Sequence, residues 1–388
     1  MQTSFDVVIV GGGVVGTATA AACARAGLRV ALVERDVLGG GATAAGMGHI
    51  VVMDDSEAQF TLTRYAQSLW SRLAPELPGN VEYEMPGTLW LAADDEEMAE
   101  AKRKLRVYRD REVPAQLLNS REVAGLEPNV RPGLAGALLV PEDAVIYPPT
   151  AALHLAYAAQ NLGATLLIGR SVKQMGHSRV LLDEGEELSA PCLINATGSW
   201  APELTIDVPV RTRKGHLVIT DRYPGFVRHQ LVELGYLKSA HSVSSNSVAF
   251  NVQPRRTGQI LIGSSRQYGD ETAGVDQEIL SAMLQRASAY MPAISALNAL
   301  RVWTGFRAAT PDKLPLIGPT ISDETVWLAT GHEGLGITTS LATGELLAAM
   351  LTGRAPSIPI EPYLPSRFAK GDKTYAETTK EPLCNGRA

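Results

Sequence analysis

The sequence predicts an α/β fold in which a discontinuous nucleotide-binding domain is interleaved with a mixed, mostly antiparallel β-sheet domain. Three observations carry this expectation. The chain opens on an apolar run, a glycine-rich turn and a small-residue helix in DVVIVGGGVVGTATAAACARAG, which reads as a buried parallel strand feeding a helix. Apolar runs of the same buried kind return at 165–168 and 192–196. The excursions between these returns differ in character, with alternating strands such as 247–252 and 259–262, the pattern of a sheet with two unlike faces.

Taken in order, 7–10 is the first strand, 14–26 the first helix and 29–33 a second strand that ends at Glu34. The segment 38–50, LGGGATAAGMGHI, is too rich in glycine and small residues for a regular element and is expected to lie flat along a ligand. A helix at 56–73 leads to a strand within 85–94, entered through a Pro-Gly turn. Residues 95–111 are strongly charged with apolar residues at helical spacing, which predicts a solvated surface helix. A Pro- and Gly-rich passage at 127–149 carries a strand near 135–140, and helix returns at 150–162. The second excursion, 217–302, closes on a helix at 277–290. The final return, TGHEGLGITTSLATGELLAAMLTG, is a glycine turn feeding a helix that stops at Gly353 with Pro356 beyond it. The expected divisions are 1–84, 145–214 and 306–368 for the nucleotide domain, 85–144 and 215–305 for the second domain, and a polar, frayed tail at 369–388.

Gly11, Gly13 and Gly16 gain their meaning from the strand before them and the helix after them. The glycines allow a tight turn and close backbone approach, and the helix start at Val14 and Val15 offers unpaired N–H groups and a partial positive charge to a pyrophosphate. Glu34 follows 18 residues after Gly16, placed to accept hydrogen bonds from ribose hydroxyls and to disfavour a phosphorylated ribose. No second GxGxxG of this kind follows, so the sequence predicts one dinucleotide site. That weakens the case for enzymes that pair a flavin site with a separate nicotinamide site.

At 388 residues the chain is long enough for two domains and a large core. Hydrophobic residues make up 45% and charged residues 20%, an ordinary globular balance. A net charge of −6 and the lack of a basic stripe with interleaved aromatics argue against a nucleic-acid partner. Cys23, Cys192 and Cys384 are far apart and form no CxxC, so neither a disulfide framework nor a metal site is expected. The expected setting is reducing and cytoplasmic, with a partner as the one route to a membrane surface.

Together VVIVGGGVVG, Glu34-Arg35, AAGMG, INATGSW, WTGFRAATPDKLPLIGP and ATGHEGLGITTSLATG, spread from residue 5 to about residue 365, resemble the D-amino-acid oxidase superfamily of FAD enzymes. Within it the resemblance is to the glycine oxidase and D-hydroxyproline dehydrogenase-like branch. It implies a Rossmann-like FAD-binding domain holding the cofactor through Gly11, Gly13, Val14, Val15, Gly16, Glu34 and Arg35, and through the small-residue run Thr43, Ala44, Gly46 and Met47. Val172 falls where a backbone contact to the adenine side is common. The loop His332, Glu333, Gly334, Leu335, Gly336, Ile337 and Thr338 resembles the one that crosses the flavin, its helix N-terminus facing the end of the ring that gains negative charge on reduction. The arginine of the W-x-G-x-R segment, which holds the substrate carboxylate in this family, falls on Arg307; a guanidinium fork suits a carboxylate bidentately. Gly48, Phe250, Asn251, Arg307 and Glu333 are thereby implied around the substrate.

Departures from the glycine oxidase pattern change the expectation. Asn251, with Phe250 beside it, replaces a tyrosine, and Gly334 replaces a basic pocket residue, with Glu333 next to it. A pocket so altered is not expected to favour glycine. Sarcosine oxidase-like relatives attach flavin through a cysteine shortly after the substrate arginine; here Ala308 and Ala309 occupy that neighbourhood, so FAD is expected to be non-covalent. The implied activity is hydride transfer from the C–N carbon of a small amino or imino acid, D-hydroxyproline or D-proline first, with glycine, sarcosine or an opine as alternatives. His49, His216, His241 and His332 are candidate bases, none assigned. Oxygen, a quinone or an iron–sulfur partner subunit remain open as electron acceptor, and a homo- or hetero-oligomer is compatible with each.

Overall fold

The computed structural model describes residues 4–206, 208–235 and 246–369; His241, Cys384 and all of the expected tail but Ala369 lie outside the described residues. Val7–Val10 is buried throughout, as four consecutive apolar residues require when both faces of a parallel strand are covered. It pairs in parallel with Val30–Glu34 on one side and Cys192–Asn195 on the other. Thr165–Ile168 extends the sheet beyond Val30–Glu34. Val326–Thr330 and the antiparallel Leu316–Pro319 complete its six strands.

Side chains alternate across that sheet and so build two cores. Val7, Ile9, Val30 and Leu32 pack in one cluster with residues of helices Val14–Arg25, Pro148–Asn161 and Gly336–Leu351. Val8, Val10, Ala31 and Val33 pack in another with Val180, Leu182 and Leu188. The latter belong to a three-stranded antiparallel sheet, Val172–Gly176, Arg179–Leu182 and Glu187–Ser189, which the sequence reading did not anticipate. Gly336–Leu351, with the short turn before it, is apolar and long enough to cross a membrane, yet 67% of that stretch is buried as core.

The second sheet has eight strands in the order Ala299–Ala309, Arg211–Thr220, Ile260–Arg266, Ser247–Pro254, Gln230–Glu233, Thr88–Ala92, Gly136–Val140, Gln116–Asn119. Its pairings are antiparallel except for Gln230–Glu233 with Thr88–Ala92. Strands Arg211–Thr220 and Ala299–Ala309 run through the divisions expected at 214 and 305, so Arg213 and Arg307 both belong to this sheet. Phe250 and Val252 face helix Gln277–Tyr290 in one cluster, leaving the alternate residues for the opposite face.

Helix Asp95–Asp110 is less solvated than its charge implied. Lys104 is fully buried and ion-paired to Asp54, with the Trp90 ring 4.8 Å and the Tyr108 ring 5.3 Å from its ammonium. One face of the helix covers the chain at 51–54, and Asp54 supplies the countercharge that makes burial of a lysine tolerable. The segment at 38–50 likewise holds a short helix, Gly41–Ala44, and a two-residue strand, His49–Ile50.

Candidate active site

Where the two sheets meet, a cavity of about 570 Å³ runs from Glu34, Arg35 and Val172, past Gly11, Gly13, Val14 and Val15, to the loop His332–Ile337 and on to Arg307 and Asn251. Its first stretch exists because side chains are missing. A Cβ on Gly16 would stand 1.9 Å from the Gly11 carbonyl oxygen, and one on Gly11 would meet the Ala196 carbonyl oxygen at 2.5 Å. Gly11 also has φ of 110°, which side chains disfavour. Gly16 is therefore a packing residue that lets the helix sit on the turn, and it does not itself line the cavity.

Glu34 ends its strand beside this turn. Its Oε2 accepts from the Gly12 N–H at 2.6 Å and its Oε1 from the Asp36 N–H at 2.7 Å, which fixes the carboxylate while leaving further acceptor capacity. The Arg35 guanidinium lies 5.1 Å from the Trp200 ring centroid, and both line this end. Thr43 Oγ1 accepts from Val14 N–H at 3.0 Å, so its own proton is turned away from that N–H and can be donated to a diphosphate. An open glycine cradle, a helix N-terminus and an acidic residue at the far end fit FAD.

At the other end Arg307 rises from strand Ala299–Ala309, and its Nη1 donates to the Ser265 carbonyl at 2.9 Å. Arg213 is its direct cross-strand partner and lines the same cavity. Arg213 is ion-paired to Glu333 and covered by the Tyr268 ring at 4.9 Å. The next strands contribute Asn251, Gln230 and Trp90 to the wall; Val232 pairs with Asn251 on one side and Trp90 on the other, so those three form one row, and Gln230 lies two residues before Val232 on the same face of its strand. Asn251 Oδ1, Gln230 Oε1 and Trp90 Nε1 are buried without a hydrogen-bond partner.

Two histidines of the wall are held neutral. Burial pushes His49 down to about 4 and His332 down to about 3; His332 Nε2 contacts Thr343 Oγ1 at 2.9 Å. His216 lies outside the cavity lining, and its Nε2 accepts from the Asp276 N–H at 3.0 Å. Such groups do not exchange protons readily near neutrality.

Of the residues expected at the site, Gly11, Gly13, Val14, Val15, Glu34, Arg35, Thr43, Gly46, Met47, Gly48, Val172, Asn251, Arg307 and His332 through Ile337 line the cavity. Phe250 does not: it is fully buried on the opposite face of its strand, stacked on Tyr290 at 4.6 Å. Strand alternation forbids neighbours Phe250 and Asn251 from sharing a face. Ala44 is exposed and outside the lining, because the short helix turns Thr43 inward instead. Thr338 is buried one step past the lining, donating to the His49 carbonyl at 2.8 Å. Arg213, Gln230, Trp90 and Trp200 were not anticipated; the first three carry no motif and only strand pairing gathers them, whereas Trp200 closes the INATGSW segment on the turn Gly198–Trp200.

Comparison with known proteins agrees with this geometry. The family model described as DAO, FAD dependent oxidoreductase, matches residues 6–350. The chain belongs to this family. One relative, the hydrogen cyanide synthase subunit HcnC of Pseudomonas aeruginosa, is 29% identical, covering 95% of this chain and 97% of its own. Glycine oxidase of the same organism is 28% identical over 94% of this chain and 99% of its own. The crystal structure of glycine oxidase from Geobacillus kaustophilus superposes with a TM-score of 0.84 at 27% identity, covering 94% of this chain and 99% of that one. The expected FAD-dependent, glycine oxidase-like branch of the DAO family and its mixed α/β architecture are thus borne out.

Proposed function

We propose that this FAD-dependent oxidoreductase oxidises the C–N bond of a small imino acid bearing a polar substituent, a D-hydroxyproline first and D-proline after it. One observation carries the choice: the wall residues Trp90, Gln230 and Asn251, whose Nε1, Oε1 and Oδ1 are buried and unpartnered. A ring hydroxyl both donates and accepts, so it can serve an amide oxygen and an indole N–H at once. Glycine carries nothing to satisfy them. Gly334 adds room, since a Cβ there would meet no atom within 4 Å.

FAD supplies the hydride-accepting ring when bound. The chain's own residues supply position. Arg307 takes the substrate carboxylate in a two-point grip that sets both place and rotation. The start of helix Gly336–Leu351, at Gly334 to Ile337, brings a partial positive charge to the cavity. Neutral His49 and His332 leave the substrate amine without a cationic neighbour on their side, which favours its reactive unprotonated form.

A second reading, oxidation of glycine or sarcosine, is supported by the 28% identical glycine oxidase. Work as the flavin subunit of a larger assembly is supported by the relative named as a synthase subunit. Anaerobic flavin bleaching by trans- and cis-4-hydroxy-D-proline, D-proline, glycine, sarcosine and an opine separates these readings. The hydroxylated imino acids should bleach fastest; fastest reduction by glycine would hand the site to the second reading.

A further inference from the structure

Arg213 and Arg307 are cross-strand partners in the eight-stranded sheet and line one cavity. Side chains directly opposite one another share a face and lie close, so two guanidinium groups converge on the substrate end. Arg213 is given an internal counterion. Its side chain is 4% exposed and that of Glu333 13%, and the two are ion-paired across the meeting of the sheet and the loop that precedes helix Gly336–Leu351. Glu333 makes this contact from φ of 47°, a left-handed conformation that costs a residue with a side chain and persists where surrounding structure demands it. The pair is therefore a tethered carboxylate seated on an arginine inside the cavity, beside the arginine that fits a substrate carboxylate.

We propose that Glu333 is a built-in occupant of a second anion seat, so that the site admits a substrate with one carboxylate and turns away dicarboxylic amino acids. Tethering gives the glutamate a high effective concentration at Arg213. A second substrate carboxylate must displace it or lie against its charge, and either raises the cost of binding. This rests on the reading that Arg307 anchors a small carboxylate.

The test uses the holoenzyme, with acetate and malonate as probes, each titrated at fixed ionic strength against the flavin absorption spectrum. The wild type should bind acetate at least as tightly as malonate. Glu333→Gln should raise the malonate-to-acetate affinity ratio about ten- to a hundredfold, the worth of one charge-assisted contact. Arg213→Met combined with Glu333→Gln should abolish that gain and keep acetate binding. An unchanged ratio in Glu333→Gln, with acetate still lost in Arg307→Ala, overturns the role of Glu333 alone. Acetate binding indifferent to Arg307→Ala overturns the anchor reading and this inference with it. If Glu333→Gln does not retain FAD, the wild-type comparison still decides, because a tenfold preference for malonate there is incompatible with an occupied second seat.

Discussion

Arg307 occupies space that Gly215, on the neighbouring strand, leaves open: a Cβ on Gly215 would stand 2.4 Å from Nη1 and 2.7 Å from Nη2 of the arginine. The guanidinium therefore lies across the backbone of strand Arg211–Thr220 instead of beside it. Gly215→Ala should push the fork off this seat while leaving the sheet intact. Misplacement by about 1 Å costs on the order of a hundredfold in rate, so kcat/KM should fall by about that factor with FAD content unchanged. Steady-state kinetics with the best substrate and the flavin-to-protein absorbance ratio check both halves.

Removing the fork itself should cost more. Arg307→Ala should keep its fold and FAD yet lose about 3–5 kcal/mol of transition-state stabilisation, read as kcat/KM. Arg307→Lys should recover only part, since an ammonium keeps the charge without the two-point geometry. Anaerobic flavin reduction at several substrate concentrations is the measurement, and wild-type rate and half-saturation in Arg307→Ala would remove this residue from the site.

The cofactor should leave the protein intact on acid precipitation, because no cysteine stands among the described residues that line the cavity. Flavin that remained with the pellet would contradict this. Glu34→Ala should weaken FAD retention by about 1.5–3 kcal/mol, the range of one charge-assisted hydrogen bond. The same change releases the Gly12 and Asp36 N–H groups that the carboxylate holds, so Glu34→Gln, which keeps one acceptor, should fall between. Ultrafiltration of the flavin at increasing dilution reports the order.

How far the site could be read in advance follows the range of the interactions that build it. The glycine turn, Glu34 and the loop at 332–337 are local in sequence, so motif and spacing reveal them. Arg213 reaches Arg307 only through pairing of strands nearly a hundred residues apart, and Trp90 joins Asn251 through a strand between them. Single-sequence patterns do not encode which strands become neighbours. Phe250 is a different case, since the strand read at 247–252 already implied alternation, and its apolar ring next to polar Asn251 was the signal that the two face opposite ways. Lys104 was hidden because its partner Asp54 lies on a segment with no periodicity of its own.

Asp143, buried behind the cavity-lining residues Val51 and Met53, gives a pH test of the fold. It is 1% exposed, and its Oδ1 accepts from Val52 N–H at 3.3 Å and Gln67 Nε2 at 3.1 Å. Burial pushes its carboxyl up to about 7, with its hydrogen bonds and the field of Lys104 only partly offsetting that. A carboxyl whose folded value lies above its unfolded value of 3.8 stabilises the fold fully below about 3.8, and that contribution is lost as pH rises through about 7. Asp143→Asn keeps the Oδ1 acceptor, places an N–H toward the Thr88 hydroxyl beside it, and has no proton to lose. Its stability relative to wild type should therefore rise from pH 5 to pH 8 by on the order of 1–3 kcal/mol. His49 and His332, held low, act in the opposite sense: their contribution fades as pH falls below about 6.5 toward 4 and 3. That trend is common to both proteins and cancels in the difference. Thermal unfolding of the two holoenzymes across this range is the measurement, and an equal Tm gap at pH 5 and pH 8 would mean that Asp143 does not change its protonation in that window.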